Sequence, residues 1–188
     1  MSDTSRTTPE DVLRTYFRAK DENRPHLMAG VFSETATLET IVKTGAISFP
    51  PVSIGLAPIT DVLVRKFAQT YENVYSFYLE RPQPGIHSDS FSCDWLVGMS
   101  AKEGGGVRVG CGRYDWRFRA QAPRLADRLA ITIEAMQVLP PDRLGSVLGW
   151  LTALPYPWCP ADAILRTAPD VDDLDPILRY VGRRGQQA

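Results

Sequence analysis

The order of helix and strand signals predicts an α+β fold, with helices early and an antiparallel sheet late. Three observations carry this. The stretch Gly110–Arg119 reads G-C-G-R-Y-D-W-R-F-R and sorts by parity, Gly112, Tyr114, Trp116 and Phe118 on one face and Arg113, Asp115, Arg117 and Arg119 on the other. That is the period of a strand with one dry and one wet face. Upstream, Val12, Leu13, Tyr16 and Phe17 share a helical face, and Ile59, Val62, Leu63, Phe67 and Tyr71 form a second apolar stripe. Runs rich in β-branched and aromatic residues follow in the second half.

The elements follow in order. Thr8-Pro9-Glu10-Asp11 is a helix start: Thr8 caps, Pro9 suits the first helical position, and Asp11 meets the free amides. A short helix follows Pro25, and Thr35–Val42 is a strand. Gly45–Gly55, with Pro50-Pro51 inside it, is loop. A third helix opens at Pro58. Val74–Leu79, Phe91–Ser100, Val107–Arg119 and Arg128–Leu139 are strands. Beyond Pro140 the pattern turns helical at Asp142–Leu154, near Ala161–Arg166 and near Asp173–Val181, with a polar tail over Gly182–Ala188. The chain divides into a core domain, residues 8–139, and a C-terminal helical extension, residues 140–188. The extension is expected to pack on the same domain or on a partner subunit.

Composition narrows the function. Apolar residues are 44% and charged residues 23% of the 188, with a net charge of −1, so neither nucleic acid nor an anionic membrane is the expected partner. No long apolar run predicts a membrane span, and the polar start Met1–Arg6 lacks a signal core, so a cytoplasmic location is expected. Cys93, Cys111 and Cys159 are scattered and read as reduced thiols. His26 and His87 are isolated, and no metal or organic cofactor is implied. Asp170–Asp175 lacks the glycine and terminal glutamate of a calcium loop.

Gly104-Gly105 as a two-residue primed turn sets a register in which Trp95 faces Tyr114, Cys93 faces Trp116 and Phe91 faces Phe118. Ser92 then faces Arg117 and Asp94 faces Asp115, and the aromatic faces coincide. A slip of one residue would oppose rings to charges. Such a face either fills a core or lines a concave apolar site.

Three pieces, Tyr16-Phe17-x-x-Lys20 through Phe32-Ser33-Glu34-Thr35-Ala36-Thr37-Leu38-Glu39, Ile54-Gly55-Leu56-Ala57-Pro58-Ile59 and Asp115-Trp116-Arg117-Phe118, resemble the nuclear transport factor 2-like superfamily. That group includes ketosteroid isomerases, scytalone dehydratase and SnoaL-like cyclases. The resemblance covers roughly two thirds of the chain and is more specific for fold than for function. It implies a strongly curved antiparallel sheet wrapped against three N-terminal helices as a cone with an internal pocket, and a homodimer formed through the sheet.

By the resemblance, Tyr16 takes the place of the isomerases' oxyanion-hole tyrosine and Tyr114 that of the second donor, a protonated aspartate. The catalytic base falls at Thr40. A threonine hydroxyl cannot shuttle a proton near neutral pH, so the family's isomerase mechanism is disfavoured. Glu39 would serve as base only if a bulge turned it inward. The expected catalytic set is Tyr16, Tyr114 and Glu39. The expected ligand-binding set is Tyr16, Thr40, Trp95, Tyr114, Trp116 and Phe118, around a small apolar or aromatic molecule. A catalytic version would be an isomerase, dehydratase or cyclase acting beside a carbonyl. The alternative is a non-catalytic pairing module with a filled cone.

Overall fold

The computed structural model describes residues 7–185; the polar start and the last residues of the tail lie outside them. Helix α1 (Pro9–Asp21) begins as its sequence dictates, with the Asp11 amide donating to Thr8 Oγ1 at 3.2 Å and the Thr8 amide donating to Asp11 Oδ2 at 3.0 Å. This reciprocal cap satisfies two otherwise orphaned N–H groups. A 3₁₀ turn (Pro25–Gly30) leads into β1 (Phe32–Val42). Within the segment expected to be loop, Val52–Ile54 pairs with β1 as a short edge strand, β2. Helices α2 (Leu56–Thr60) and α3 (Lys66–Thr70) run end to end through a π-helical turn, Asp61–Arg65.

Strands β3 (Tyr71–Tyr78), β4 (Ser90–Ala101), β5 (Val107–Phe118) and β6 (Ala126–Leu139) complete a curved, unclosed six-stranded sheet of order β2-β1-β6-β5-β4-β3. Its neighbours are antiparallel except β1 and β6, which run parallel, so the sheet is mixed.

The β4–β5 register is displaced by two residues from the expected one. Trp95 lies opposite Gly112, Cys93 opposite Tyr114, Phe91 opposite Trp116, Ser92 opposite Asp115 and Asp94 opposite Arg113. The loop is longer than a two-residue turn: the Ala101 amide donates to the Gly106 carbonyl at 2.8 Å, enclosing Lys102 to Gly105. Gly104 (φ 75°) and Gly105 (φ 66°) take the left-handed conformations that favour glycine. A shift of two preserves parity, so the aromatic residues keep their face.

The sheet has two dry faces. Inside, α1 and the α2–α3 helix pack on Leu38, Cys93, Trp95, Val97, Met99, Tyr114, Trp116 and Ile131. Outside, α4 (Leu144–Ala153), α5 (Ala161–Thr167) and α6 (Asp175–Gly185) pack on Phe77, Leu96, Val107, Val109 and Cys111. Gly98 makes this possible: a Cβ there would fall 2.1 Å from Leu151 Cδ1. On α6, the Tyr180 hydroxyl donates to Asp94 Oδ1 at 2.9 Å. Where these helices stop, the outer face of β5 becomes charged, and Arg113 reaches Asp94 (3.6 Å) and Asp115 (3.4 Å). Helices α4 to α6 thus share an apolar cluster with the sheet face opposite α1.

The segment between α4 and α5 wraps the β3 edge. The Tyr78 amide donates to the Pro157 carbonyl, and the Cys159 amide donates to the Tyr78 carbonyl, both at 2.8 Å. Trp158 then stacks on Tyr78 (5.0 Å), Tyr78 on Phe17 (3.6 Å), and the Arg14 guanidinium sits 5.6 Å from the Trp158 ring. Strand edge, extension and α1 are thereby locked together.

Candidate functional site

Between α1, the α2–α3 helix and the inner sheet face lies a cavity of about 50 Å³. Helix α1 contributes Tyr16 and, one turn later, Lys20. Strand β1 contributes Thr40, β4 contributes Trp95, Val97 and Met99, and β5 contributes Tyr114. Ile131, Ile133 and Met136 of β6 close the floor, while Leu63 and Phe67, flanking the end of the π-helical turn, close one side with Ile47 and Phe49. Local widening of a helix into a π turn recurs at functional sites because it re-aims side chains.

Tyr16 sits at the centre of the aromatic packing, edge-on to Tyr114 at 6.0 Å and to Trp116 at 5.3 Å. Burial raises both phenols above their ordinary range, so both stay protonated and act as donors. Trp95 stacks on Tyr114 at 5.5 Å, and its ring lies across Gly112, where a Cβ would fall 2.7 Å from Trp95 Cζ2. Glycine is required there for close approach. Gly110 likewise gives room to Met136.

Among the described residues, Lys20 is the one charged residue in the lining. Its side chain is 7% exposed, and Nζ donates to Ser76 Oγ (2.6 Å) and Asp21 Oδ1 (2.9 Å) while facing the rings of Phe67 (5.1 Å) and Phe17 (5.6 Å). Asp21 is held further by the amide and hydroxyl of Ser76. The charge entering the cavity is therefore paired.

The structure brings Tyr16, Thr40, Trp95 and Tyr114 to one cavity and places three other expected residues elsewhere. Glu39 points to the outer face by strand alternation, bound by Arg128 through Nη2 (2.6 Å) and Nε (3.1 Å). Arg128 holds its carboxyl below the usual range. The irregularity of β1 falls between Phe32 and Thr37, before Glu39, so it does not turn that side chain inward. Trp116 and Phe118 keep the inner face but stack on each other (6.2 Å) in the solid part of the core, outside the cavity lining. His26 and His87 are exposed. Cys93, Cys111 and Cys159 are buried free thiols, and burial pushes Cys111 up to about 12 and Cys159 to about 11.

Lys20, Phe67, Met99 and Met136 were missed as lining residues. Lys20 stands one helical turn from Tyr16, and Val97 and Met99 follow Trp95 at the strand period, so both signals were present.

The cone-and-helix architecture defines the class. No family model and no curated protein sequence matches the chain. Solved structures do. A nuclear transport factor 2-like superfamily protein from Salmonella enterica superposes with a TM-score of 0.52 at 12% identity, over 67% of this chain and 88% of its own. A hexachlorocyclohexane dehydrochlorinase of type 2 gives 0.54 at 12% identity, over 69% and 84%. A protein of ketosteroid isomerase-like fold from Catenulispora acidiphila, in complex with trimethylamine, gives 0.51 at 17% identity, over 66% and 85%. The fold is that of the nuclear transport factor 2-like superfamily, as the sequence resemblance implied. Enzymes are among its bearers, and among the described residues no helix is long and apolar enough to cross a membrane.

Proposed function

We propose that the cone binds a small, largely apolar molecule. The observation that carries this reading is a cavity lined by hydrocarbon and rings into which buried hydrogen-bond donors project: Tyr16, Thr40, Trp95 and Tyr114. Size constrains the ligand. A cavity of about 150 Å³ accepts benzene; the one here is about 50 Å³. A few heavy atoms fit directly, and a ring enters when Met99 and Met136, unbranched and adaptable, change rotamer. The neighbouring groove between residues 47–50 and α3 shares Ile47, Phe49 and Phe67 with the cavity.

A catalytic version, an isomerase, dehydratase or cyclase with Tyr16 and Tyr114 polarising a carbonyl, needs a base. Thr40 occupies the expected position, Glu39 is bound to Arg128 on the opposite face, and Lys20 is paired with Asp21. Binding is the reading the geometry supports best. Native mass spectrometry of the purified chain and a thermal-shift panel of small ketones and phenols test it. At a hundredfold excess over Kd a ligand stabilises by about 2.7 kcal/mol, roughly 5–10 °C in Tm for a chain this size. A flat panel and a ligand-free mass spectrum would sink the reading.

A second reading concerns pairing. Ile41 (51% exposed), Val52 (52%) and Ile54 (66%) form an apolar strip on the part of the outer sheet that the extension leaves open. A homodimer through the sheet would use that strip. Light scattering of wild type and Ile54→Glu decides: a dimer that the glutamate dissociates supports it, and a monomer in both refutes it.

A further inference from the structure

Six buried side-chain polar atoms lack a hydrogen-bond partner among the described residues: Ser33 Oγ, Thr40 Oγ1, Arg108 Nε and the indole Nε1 of Trp95, Trp116 and Trp158. Only Thr40 and Trp95 border the cavity. They are 8% and 3% exposed, so bulk water does not serve them. An unmade hydrogen bond in such a place is costly and calls for an explanation, and at a cavity wall a guest atom supplies one.

The two donors face a shared space. Thr40 is on β1, directly beside Ile131 of β6, and Ile131 in turn is beside Tyr114. Trp95 reaches from β4 across β5: its Cζ2, two bonds from Nε1, lies over Gly112, whose partner on β6 is Ile133. Both residues line the same cavity, Trp95 from the β4 side and Thr40 from the β1 side. Between them the floor is Ile131 and Ile133, purely apolar.

The phenols are less available. Tyr16 and Tyr114 pack edge to face in the aromatic cluster, and neither hydroxyl is among the buried atoms left without a partner. The charge of Lys20 is neutralised by Asp21, so no net positive charge is offered to an anion.

We infer that Trp95 Nε1 and Thr40 Oγ1 form an acceptor-recognition site that selects an uncharged apolar molecule bearing a carbonyl-type oxygen. This rests on the pocket reading above and adds the polar specificity that the apolar lining cannot supply. The ligand's hydrocarbon lies against Met99, Met136 and Phe67, and its oxygen takes hydrogen bonds from the indole and the threonine.

The test compares cyclopentanone, methylenecyclopentane and cyclopentanecarboxylate on the full chain labelled with ¹⁵N. The four tryptophans give four indole N–H signals. Trp150 Nε1 already donates to Thr167 Oγ1 at 3.2 Å and is an internal control. The Trp95 signal, identified with Trp95→Phe, is expected to move downfield with the ketone and not with the hydrocarbon, while the Trp150 signal stays in place. The ketone is expected to bind about two- to tenfold tighter than the hydrocarbon, the range of one neutral hydrogen bond. Thr40→Val, close in shape, is expected to weaken the ketone by a similar factor, leave the hydrocarbon unchanged, and keep or raise the Tm of the empty protein. Equal binding of ketone and hydrocarbon with a motionless Trp95 signal overturns the acceptor site and leaves the pocket standing. Binding of the carboxylate as tightly as the ketone overturns the selection for a neutral ligand. Binding of none of the three overturns both the site and the pocket.

Discussion

Replacing Gly112 by alanine adds a single methyl beneath the Trp95 ring, against the neighbouring strand β6. The backbone there is outside the left-handed region, so the effect is steric and not conformational. The added Cβ would lie 1.9 Å from the Thr132 carbonyl oxygen and 2.7 Å from Trp95 Cζ2. The first clash is with backbone of the neighbouring strand, and the β5–β6 ladder must yield. Overpacking of this kind costs about 1–3 kcal/mol, and the lower chain entropy of alanine returns only about 0.4–1. A net loss of about 1–2 kcal/mol is expected, roughly 2–8 °C in Tm. Urea unfolding followed by near-UV circular dichroism measures it, and the indole signal of Trp95 should shift as the ring is displaced. Gly149→Ala is the matched control: it lies inside α4 with nothing within 4 Å of the new methyl. That variant should gain about 0.5–1 kcal/mol from helix propensity. A Gly112→Ala protein as stable as wild type would refute the packing of Trp95 over this strand.

Three further outcomes are expected. Lys20→Met removes one partner of a buried ion pair and leaves Asp21 uncompensated, a loss of about 3–5 kcal/mol in urea unfolding; adding Asp21→Asn should restore part of it, and independent losses would contradict the pairing. Leu151→Ala empties the contact over Gly98 and should cost about 2–5 kcal/mol, with exposure of the outer sheet face visible as dye binding; a neutral result would mean that the extension does not rest on the sheet. Iodoacetamide at pH 8 should leave all three cysteines unmodified in the native chain and alkylate all three in denaturant, read by mass spectrometry. The thiol pKa values are raised on folding, to about 12 for Cys111 and about 11 for Cys159, so their contribution is intact below the unfolded-state value near 9 and is lost as pH climbs from there. Stability that rose between pH 9 and 11 would contradict it.

Local rules made much of the fold legible. The Thr8-Pro9-Asp11 cap, the parity of β5 and the helical stripe from Ile59 to Phe67 are each decided within a few residues by hydrogen-bonding need and by which face must be dry, whereas Tyr71, expected on that stripe, opens β3. The register error has the same root. A pattern of period two cannot distinguish a two-residue loop from a four-residue one, and only the closure at Ala101 and Gly106 does. The parallel pairing of β1 with β6 joins segments distant in sequence, and strand composition carries no trace of that choice. Within the site, Tyr16, Thr40, Trp95 and Tyr114 were recoverable because face and fold place them together. Trp116 and Phe118 share the face, but how deep a ring sits along a curved sheet is set by helix packing. Lys20 was hidden by its charge, since a lysine in a last helical turn ordinarily reads as solvated, and here Ser76 and Asp21 hold it inside.

The end of the β3 border is held by the extension through Tyr78. A sheet margin with free amides and carbonyls recruits strands from other molecules, and here residues 157–159 cover its Tyr78 end while the opposite margin is a strand of three residues. Any shortened version ending before Pro155 would therefore leave the amide and carbonyl of Tyr78 unpaired and bare the ring stacked on Trp158. Such a version should form fibrous or amorphous precipitate at concentrations where the whole chain stays clear.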